Sequence, residues 1–315
     1  MIETQSLATD AAGIRAAADL LAEGQLVALP TETVYGLAGD ARNGTAVARI
    51  FEAKGRPSFN PLIVHVPDAQ AAEGHALWSD AADRLAAAFW PGPLTLVLPL
   101  RTGGGLSPLV TAGQSSVALR VPAHPAAQAV LRASGAPLAA PSANPSGRIS
   151  PTRPEHVRAG LGGRIAAILD GGACGVGVES TIIGLTGAKA TLLRPGGLPT
   201  EVIEEALGAP LLRPEAGGAI TAPGQLASHY APSALMRLEA ETAREGETLL
   251  GFGGTQGAAL DLSVSGDLVE AASNLFDHLH RLDAAGAEVI AVAPIPERGL
   301  GRAINDRLRR AAAPR

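Results

Sequence analysis

One stretch constrains the fold more than any other: Leu29–Val66, LPTETVYGLAGDARNGTAVARIFEAKGRPSFNPLIVHV. Two short apolar runs, Gln25–Leu29 (QLVAL) and Pro61–Val66 (PLIVHV), read as strands. Between them Val47, Ile50, Phe51 and Lys54 recur at helical spacing, which predicts a helix over Thr45–Lys54 with its apolar side on a sheet. Pro30 should end the first strand, Gly36 and Gly39 should let the backbone turn tightly, and Gly55 should cap the helix in a left-handed conformation. Chemistry collects at the element ends. Thr31, Glu32, Thr33 and Tyr35 follow the first strand, Lys54, Arg56 and Asn60 follow the helix, and His65 lies in the second strand. Hydroxyls and cations placed this way suit an anionic ligand.

The rest of the chain repeats this mixture. Helices are expected over Asp10–Glu23, Asp80–Phe89, Pro125–Ala133, from near Pro154, and over Pro199–Leu207. Apolar runs at Leu94–Leu98, Ser115–Val121, Pro137–Pro141, Ile165–Leu169, Ser180–Leu185 and Ala190–Leu193 read as strands. No strict alternation of strand and helix holds, so residues 1–207 should form one mixed α/β sheet covered by helices. Prolines and glycines then punctuate residues 208–234, which predicts a linker or lid, although its Ser228-His229-Tyr230-Ala231-Pro232 is too polar for a passive tether. Residues 235–315 hold strands at Thr248–Phe252 and Glu288–Val292 and helices at Asp267–Leu282 and Leu300–Ala312. That order suggests a small, separate, Rossmann-like α/β domain. The last helix is basic (Arg302, Arg307, Arg309, Arg310), with solvent as its default neighbour.

Composition excludes several classes. No apolar run reaches the roughly 18–20 residues a membrane span needs, and the N-terminus lacks a basic segment leading into an apolar one. A soluble cytoplasmic protein is expected. Cys174 is the only cysteine, which rules out an intrachain disulfide and any multi-cysteine zinc site, and the histidines show no metal-ligand spacing. A net charge of −5 argues against indiscriminate nucleic-acid binding.

Individual residues admit two readings each. Among 25 cationic residues only Lys54 and Lys189 are lysine, which marks Lys54 as a phosphate candidate with Arg56 and Asn60; a solvated helix end is the plain alternative. Arg120 closes an apolar strand, where a guanidinium needs a ligand anion or an internal carboxylate. Ser142, Asn144, Ser146 and Ser150 follow a buried strand and could cradle phosphates or form an ordinary turn. His65 is either a ligand or a satisfied core histidine, and Cys174 reads best as a small buried residue.

Taken in order, PTETVYGL, KGRP with NPL, ALRVP, PSANPSG, EST with IIG, and LLRPG resemble the YrdC-domain family. The SHYAP linker and the second domain make the chain similar to the long, two-domain threonylcarbamoyl-AMP synthases of that family. The resemblance implies a YrdC-like twisted sheet and a reaction of L-threonine, bicarbonate and ATP that gives threonylcarbamoyl-AMP and pyrophosphate. A separate tRNA threonylcarbamoyl transferase complex would consume the product. Carried over by motif, Thr33, His65, Arg120 and Ser180 would hold threonine, with Ala140 offering backbone. Lys54, Arg56, Asn60, Ser116, Ser142, Asn144, Ser150 and Arg194 would hold ATP, reached from the linker by Tyr230. Lys54 and Arg56, with Arg194, would neutralise charge during transfer beside a Mg²⁺ bound through the phosphates, with no protein metal cage. Two alternatives stand beside this one: a carbamoyl-adenylating enzyme with another acceptor, and an RNA-binding module using Arg56, Arg148, Arg153 and Arg194.

Overall fold

The computed structural model describes residues 2–57, 59–213 and 228–314. Most of the expected lid, residues 214–227, lies outside the described residues.

Ten strands form the larger sheet: β1 (Gln5–Ala8), β2 (Val27–Leu29), β3 (Gly36–Asp40), β4 (Ile63–His65), β5 (Leu94–Pro99), β6 (Ser116–Arg120), β7 (Leu138–Ala139), β8 (Ala167–Asp170), β9 (Thr181–Gly184) and β10 (Thr191–Arg194). Their order is β1-β8-β2-β3-β7-β4-β6-β5-β9-β10. Directions are mixed: β4 runs parallel to β6 and β5 parallel to β9, while β2 with β3, β3 with β7, and β5 with β6 are antiparallel. The expected mixed sheet is therefore observed.

The helices start and stop where local chemistry supplies partners. For α1 (Ala11–Ala22) the Asp10 carboxylate accepts from the Gly13 N–H. For α2 (Gly44–Lys54) the Asn43 side chain accepts from two orphan amides, and Gly55 ends the helix at φ 59° as expected. Two short helices, α3 (Ala69–Glu73) and α5 (Pro108–Thr111), flank α4 (Asp80–Phe89), and α6 (Pro125–Ser134), α7 (Pro154–Leu161) and α8 (Thr200–Leu207) complete this part. Ala17 and Leu21 of α1 pack with Val130 and Leu131 of α6 on Val27 and Leu29 of the sheet. A larger cluster joins Val47 and Ile50 of α2, Leu85 of α4 and Ile203 of α8 to Leu37, Val64, Leu96 and Leu119. Each such aliphatic side chain contributes about 1.5–3 kcal/mol by burial.

Gly36 and Gly39 depart from expectation. They lie inside β3, and neither has positive φ. What they provide is closeness: a Cβ at Gly39 would stand 3.1 Å from Leu26 and 3.2 Å from Ile50, and one at Gly36 would stand 3.3 Å from the Ala140 Cβ. The glycines thin the sheet where α2 and the segment after β7 press on it.

The second sheet contains β11 (Leu235–Arg237), β12 (Glu247–Gly251), β13 (Leu260–Asp261) and β14 (Val289–Val292), all parallel, in the order β11-β14-β12-β13. Helices α9 (Leu268–Ala284) and α10 (Gly301–Ala312) cover it. Its apolar core does not stop at its own boundary. Leu250, Phe276, Ile290 and Ile304 share one cluster with Val34, Ile149, Val178 and Tyr230 of the preceding chain. A Cβ at Gly177 would strike the α9 backbone at 2.4 Å, so the two units meet there without side chains between them.

Candidate active site

The site lies where several central strands end together. In the parallel β4–β6 pair, His65 stands opposite Arg120, and Arg120 stands opposite Thr95 of β5. The Thr95 hydroxyl lies 2.7 Å from that of Ser180, which immediately precedes β9. Ala140 and Ser142 follow β7, and Arg194 closes β10. Thr33 sits in the β2–β3 loop, where the Thr31 hydroxyl donates to the Val34 carbonyl and accepts from the Thr33 N–H, folding the loop inward. One cavity of ≈ 50 Å³ receives all of these except Thr95 and Thr31.

Arg120 defines one end. It is 4% exposed and has an internal carboxylate partner, the second of its two readings: Nη2 donates to Glu32 Oε1 at 2.6 Å. Its Nη1 donates to the Thr33 hydroxyl at 2.9 Å and its Nε to the Gly92 carbonyl at 3.3 Å. Beside it His65 is buried, and its Nε2 has no hydrogen-bond partner among the described residues. Burial, helped by the Arg120 charge, holds its imidazole far below the usual histidine range, so the ring is neutral. A neutral ring with an unused nitrogen fits a ligand contact better than a satisfied core histidine.

The other end is cationic. Lys54 and Arg56 are buried, which overturns the solvated helix end. The Lys54 ammonium donates to the carbonyls of Ser142 at 2.6 Å and Asn144 at 2.5 Å, so it braces the serine-bearing segment. Burial and then the Arg56 charge press the Lys54 pKa well down, and burial lowers Arg56 to about 10. Arg194 is also buried and donates from Nε and Nη2 to the Ser180 carbonyl. Asn60 is fully buried, and among the described residues neither of its amide atoms has a partner, an uncommon and costly state unless a ligand completes it.

Thr33, Arg56, His65, Arg120, Ala140, Ser142, Ser180, Arg194 and Tyr230 all line the cavity. Lys54, Asn60, Ser116, Asn144 and Ser150 do not. Lys54 and Asn60 stand behind it, and Ser116 starts β6 opposite Pro99. Asn144 turns its amide to the Pro145 and Arg148 carbonyls and lines a separate cavity of ≈ 260 Å³. Ser150 is fully buried and donates to Glu179 Oε1 at 2.5 Å. Cys174 is buried, and burial pushes its thiol up to about 12, so it is no nucleophile.

His229 lines the cavity beside Tyr230. Tyr230 is 1% exposed and holds φ at 64°, a conformation that costs a bulky residue on the order of 1–3 kcal/mol. Its ring lies 5.6 Å from that of Phe276, with the Arg307 guanidinium 5.3 Å from its centre. Burial presses the His229 imidazole down to about 3, with Lys54, Arg56 and Arg194 adding to the effect.

Comparison with known proteins agrees with this geometry. Residues 19–196 match the Sua5/YciO/YrdC family model, described as "Telomere recombination". Residues 198–313 match the model described as "Threonylcarbamoyl-AMP synthase, C-terminal domain". The chain belongs to the Sua5/YciO/YrdC family. A threonylcarbamoyl-AMP synthase of Pyrococcus abyssi is 43% identical over 95% of this chain and 94% of its own length. One from Bacillus subtilis is also 43% identical, over 99% and 96%. The crystal structure of P. abyssi Sua5 complexed with L-threonine superposes with a TM-score of 0.90 at 40% identity, covering 99% of this chain and 98% of that one.

Within this Sua5-type site, three residues escaped the sequence reading. Glu32 was noticed only as part of a polar patch. Glu179 lines the cavity and accepts from Ser150 and, at 2.9 Å, from Arg307 Nε. Arg307 has 0% side-chain exposure, the reverse of the solvent-facing helix expected. A signal for it existed. Ile304 and Ala311 lie three before and four after it, which puts Arg307 on the apolar stripe of α10. The proposed RNA cleft is likewise dispersed: Arg56 and Arg194 are buried, and Arg153 pairs with Asp277 at 2.7 Å.

Proposed function

We propose that the chain condenses L-threonine, bicarbonate and ATP into threonylcarbamoyl-AMP with release of pyrophosphate, for threonylcarbamoyladenosine modification of tRNA. The carrying observation is that one cavity joins the Arg120–Thr33–His65 end to the Arg56–Ser142–Arg194 end. Arg120 grips the threonine carboxylate through its unused N–H groups. The threonine amine, held near neutral His65, combines with bicarbonate to give a carbamate and water. A carbamate oxygen then attacks the α-phosphorus of ATP, the bond to the β-phosphate oxygen breaks, and pyrophosphate leaves. Such a displacement depends on positioning and charge neutralisation. Arg56 and Arg194 stabilise charge on the phosphates, and Lys54 keeps the Ser142–Asn144 backbone in place.

A Mg²⁺ ion carried by the triphosphate would add further neutralisation. The carboxylate of Glu179 is already engaged by Ser150 and Arg307, and among the described residues no group of three His, Cys, Asp or Glu side chains gathers. This donor set fits an ion held by phosphate and water oxygens. The Tyr230 segment serves as the lid that keeps water from the labile product. Residues 1–207 act as the catalytic unit, 208–234 as linker and lid, and 235–315 form a small C-terminal α/β domain. No helix among the described residues is long and apolar enough to cross a membrane, which fits work in the cytoplasm before a tRNA threonylcarbamoyl transferase complex takes the product.

The test is pyrophosphate release with ATP, bicarbonate and each amino acid in turn. Release should require both threonine and bicarbonate. A rate unchanged by omitting either one removes this function and favours another acceptor.

A further inference from the structure

We infer that Glu32 is a positioning residue for the amino-acid site, holding Arg120 so that a single two-donor edge of the guanidinium is left for a carboxylate. The inference rests on the proposed role of Arg120 in binding the amino acid. A guanidinium carries five N–H donors in a rigid plane: one on Nε and two on each terminal nitrogen. Three are committed inside the protein, Nε to Gly92, one Nη1 hydrogen to Thr33 and one Nη2 hydrogen to Glu32. Among the described residues one hydrogen on each terminal nitrogen has no partner, and such a pair of N–H groups suits the two oxygens of a carboxylate.

Glu32 is fit for this task because it is itself held. Its second oxygen accepts from the Ala123 N–H at 3.0 Å, and its backbone carbonyl accepts from the Val176 N–H at 2.7 Å. The residue thus joins the β2–β3 loop to the segment after β6 and to the glycine-rich segment before β9. Glu32 does not line the cavity, so it acts through Arg120 and not on substrate. Without it the guanidinium is held by Gly92 and Thr33 alone, and its Nη2 side has no carboxylate to set its plane. The negative charge also offsets that of Arg120, so the site discriminates by shape as well as by charge.

The experiment compares Glu32→Ala, Glu32→Gln and wild type in the pyrophosphate assay, with thermal unfolding as a fold check. Glu32→Ala should raise the threonine KM about tenfold to a hundredfold, the range expected when a charge-assisted bond that orients a binding group is lost. The ATP KM should stay within about twofold. Glu32→Gln retains an acceptor oxygen for Nη2 and should recover most of the loss. An unchanged threonine KM in Glu32→Ala overturns the inference. So does a parallel rise of both constants, which marks a merely structural residue, or a glutamine variant no better than alanine. If wild type releases pyrophosphate without threonine, the proposed function fails first, and that result is distinct from all three.

Discussion

Arg307→Met isolates the contact by which the second unit reaches the site. The wild-type guanidinium has no exposed surface and donates to Glu179 Oε2 at 2.9 Å, to the Pro195 carbonyl at 2.6 Å and to Asp306 at 2.9 Å. Methionine fills much of the volume but leaves the buried Glu179 carboxylate with the Ser150 hydroxyl and no cation in place of Arg307. Breaking one side of a buried pair typically costs about 3–5 kcal/mol, mostly because the surviving charge is stranded. For a chain of 315 residues the unfolding entropy is about 0.7 kcal/mol per kelvin, so the midpoint should fall by about 4–7 °C. Burial alone would raise the Glu179 pKa, but Arg307, Arg194 and the Ser150 hydrogen bond outweigh it, and the net shift is downward. A carboxylate with a depressed folded pKa adds stability above its unfolded value near 4.5 and loses it as pH falls through the folded value. The gap between wild type and variant should therefore be full at pH 7 and narrow below about pH 4.5. Glu179→Gln combined with Arg307→Met should be less destabilised than the sum of the single changes, because no charge is then stranded. Urea unfolding monitored by circular dichroism measures all three. A cost under about 1 kcal/mol for Arg307→Met, or strict additivity, refutes the stranded-charge argument.

Other consequences follow from single contacts. Arg120→Ala should weaken threonine binding far more than ATP binding, by about a hundredfold against less than about threefold, in calorimetric titrations with each ligand. His65 should stay neutral well below pH 6.5, because burial and Arg120 both oppose protonation; ring ¹⁵N shifts across a titration read this directly. Gly196→Ala places a Cβ 2.4 Å from the backbone of Glu179, Ser180 and Thr181, so it should displace Ser180 and reduce both threonine affinity and unfolding midpoint. Gly39→Ala presses most closely on the side-chain ends of Leu26 and Ile50 and should cost about 1–3 kcal/mol in urea unfolding while leaving threonine affinity in place.

Elements with both a pattern and punctuation were legible. Helix α4 spans the expected Asp80–Phe89 because Ser79 caps it and Trp90-Pro91 stops it. Strand β1 was missed because an edge strand with exposed Gln5, Ser6 and Ala8 shows no apolar run. Strand β3 was missed because its glycines imitate a turn when only conformational freedom is considered; the close approach of Leu26, Ile50 and Ala140 is a tertiary fact. The candidate site was legible where motifs carry unusual polar residues beside strands, as at Thr33, His65, Arg120 and Arg194. Glu179 was not, since its partners Ser150 and Arg307 lie 29 and 128 residues away.

Two of the residues that line the cavity, His229 and Tyr230, belong to the segment that joins the two units. Its resting state is held by opposed terms of similar size. The left-handed backbone of Tyr230 disfavours closure by on the order of 1–3 kcal/mol, while the ring's contact with Arg307 favours it by about 0.5–2 kcal/mol. Burial of the ring against Phe276 tips the sum toward closure. Arg307 and Phe276, which contact the Tyr230 ring, belong to α10 and α9, so loosening the packing of the second unit should also loosen the proposed lid over the first unit's cavity.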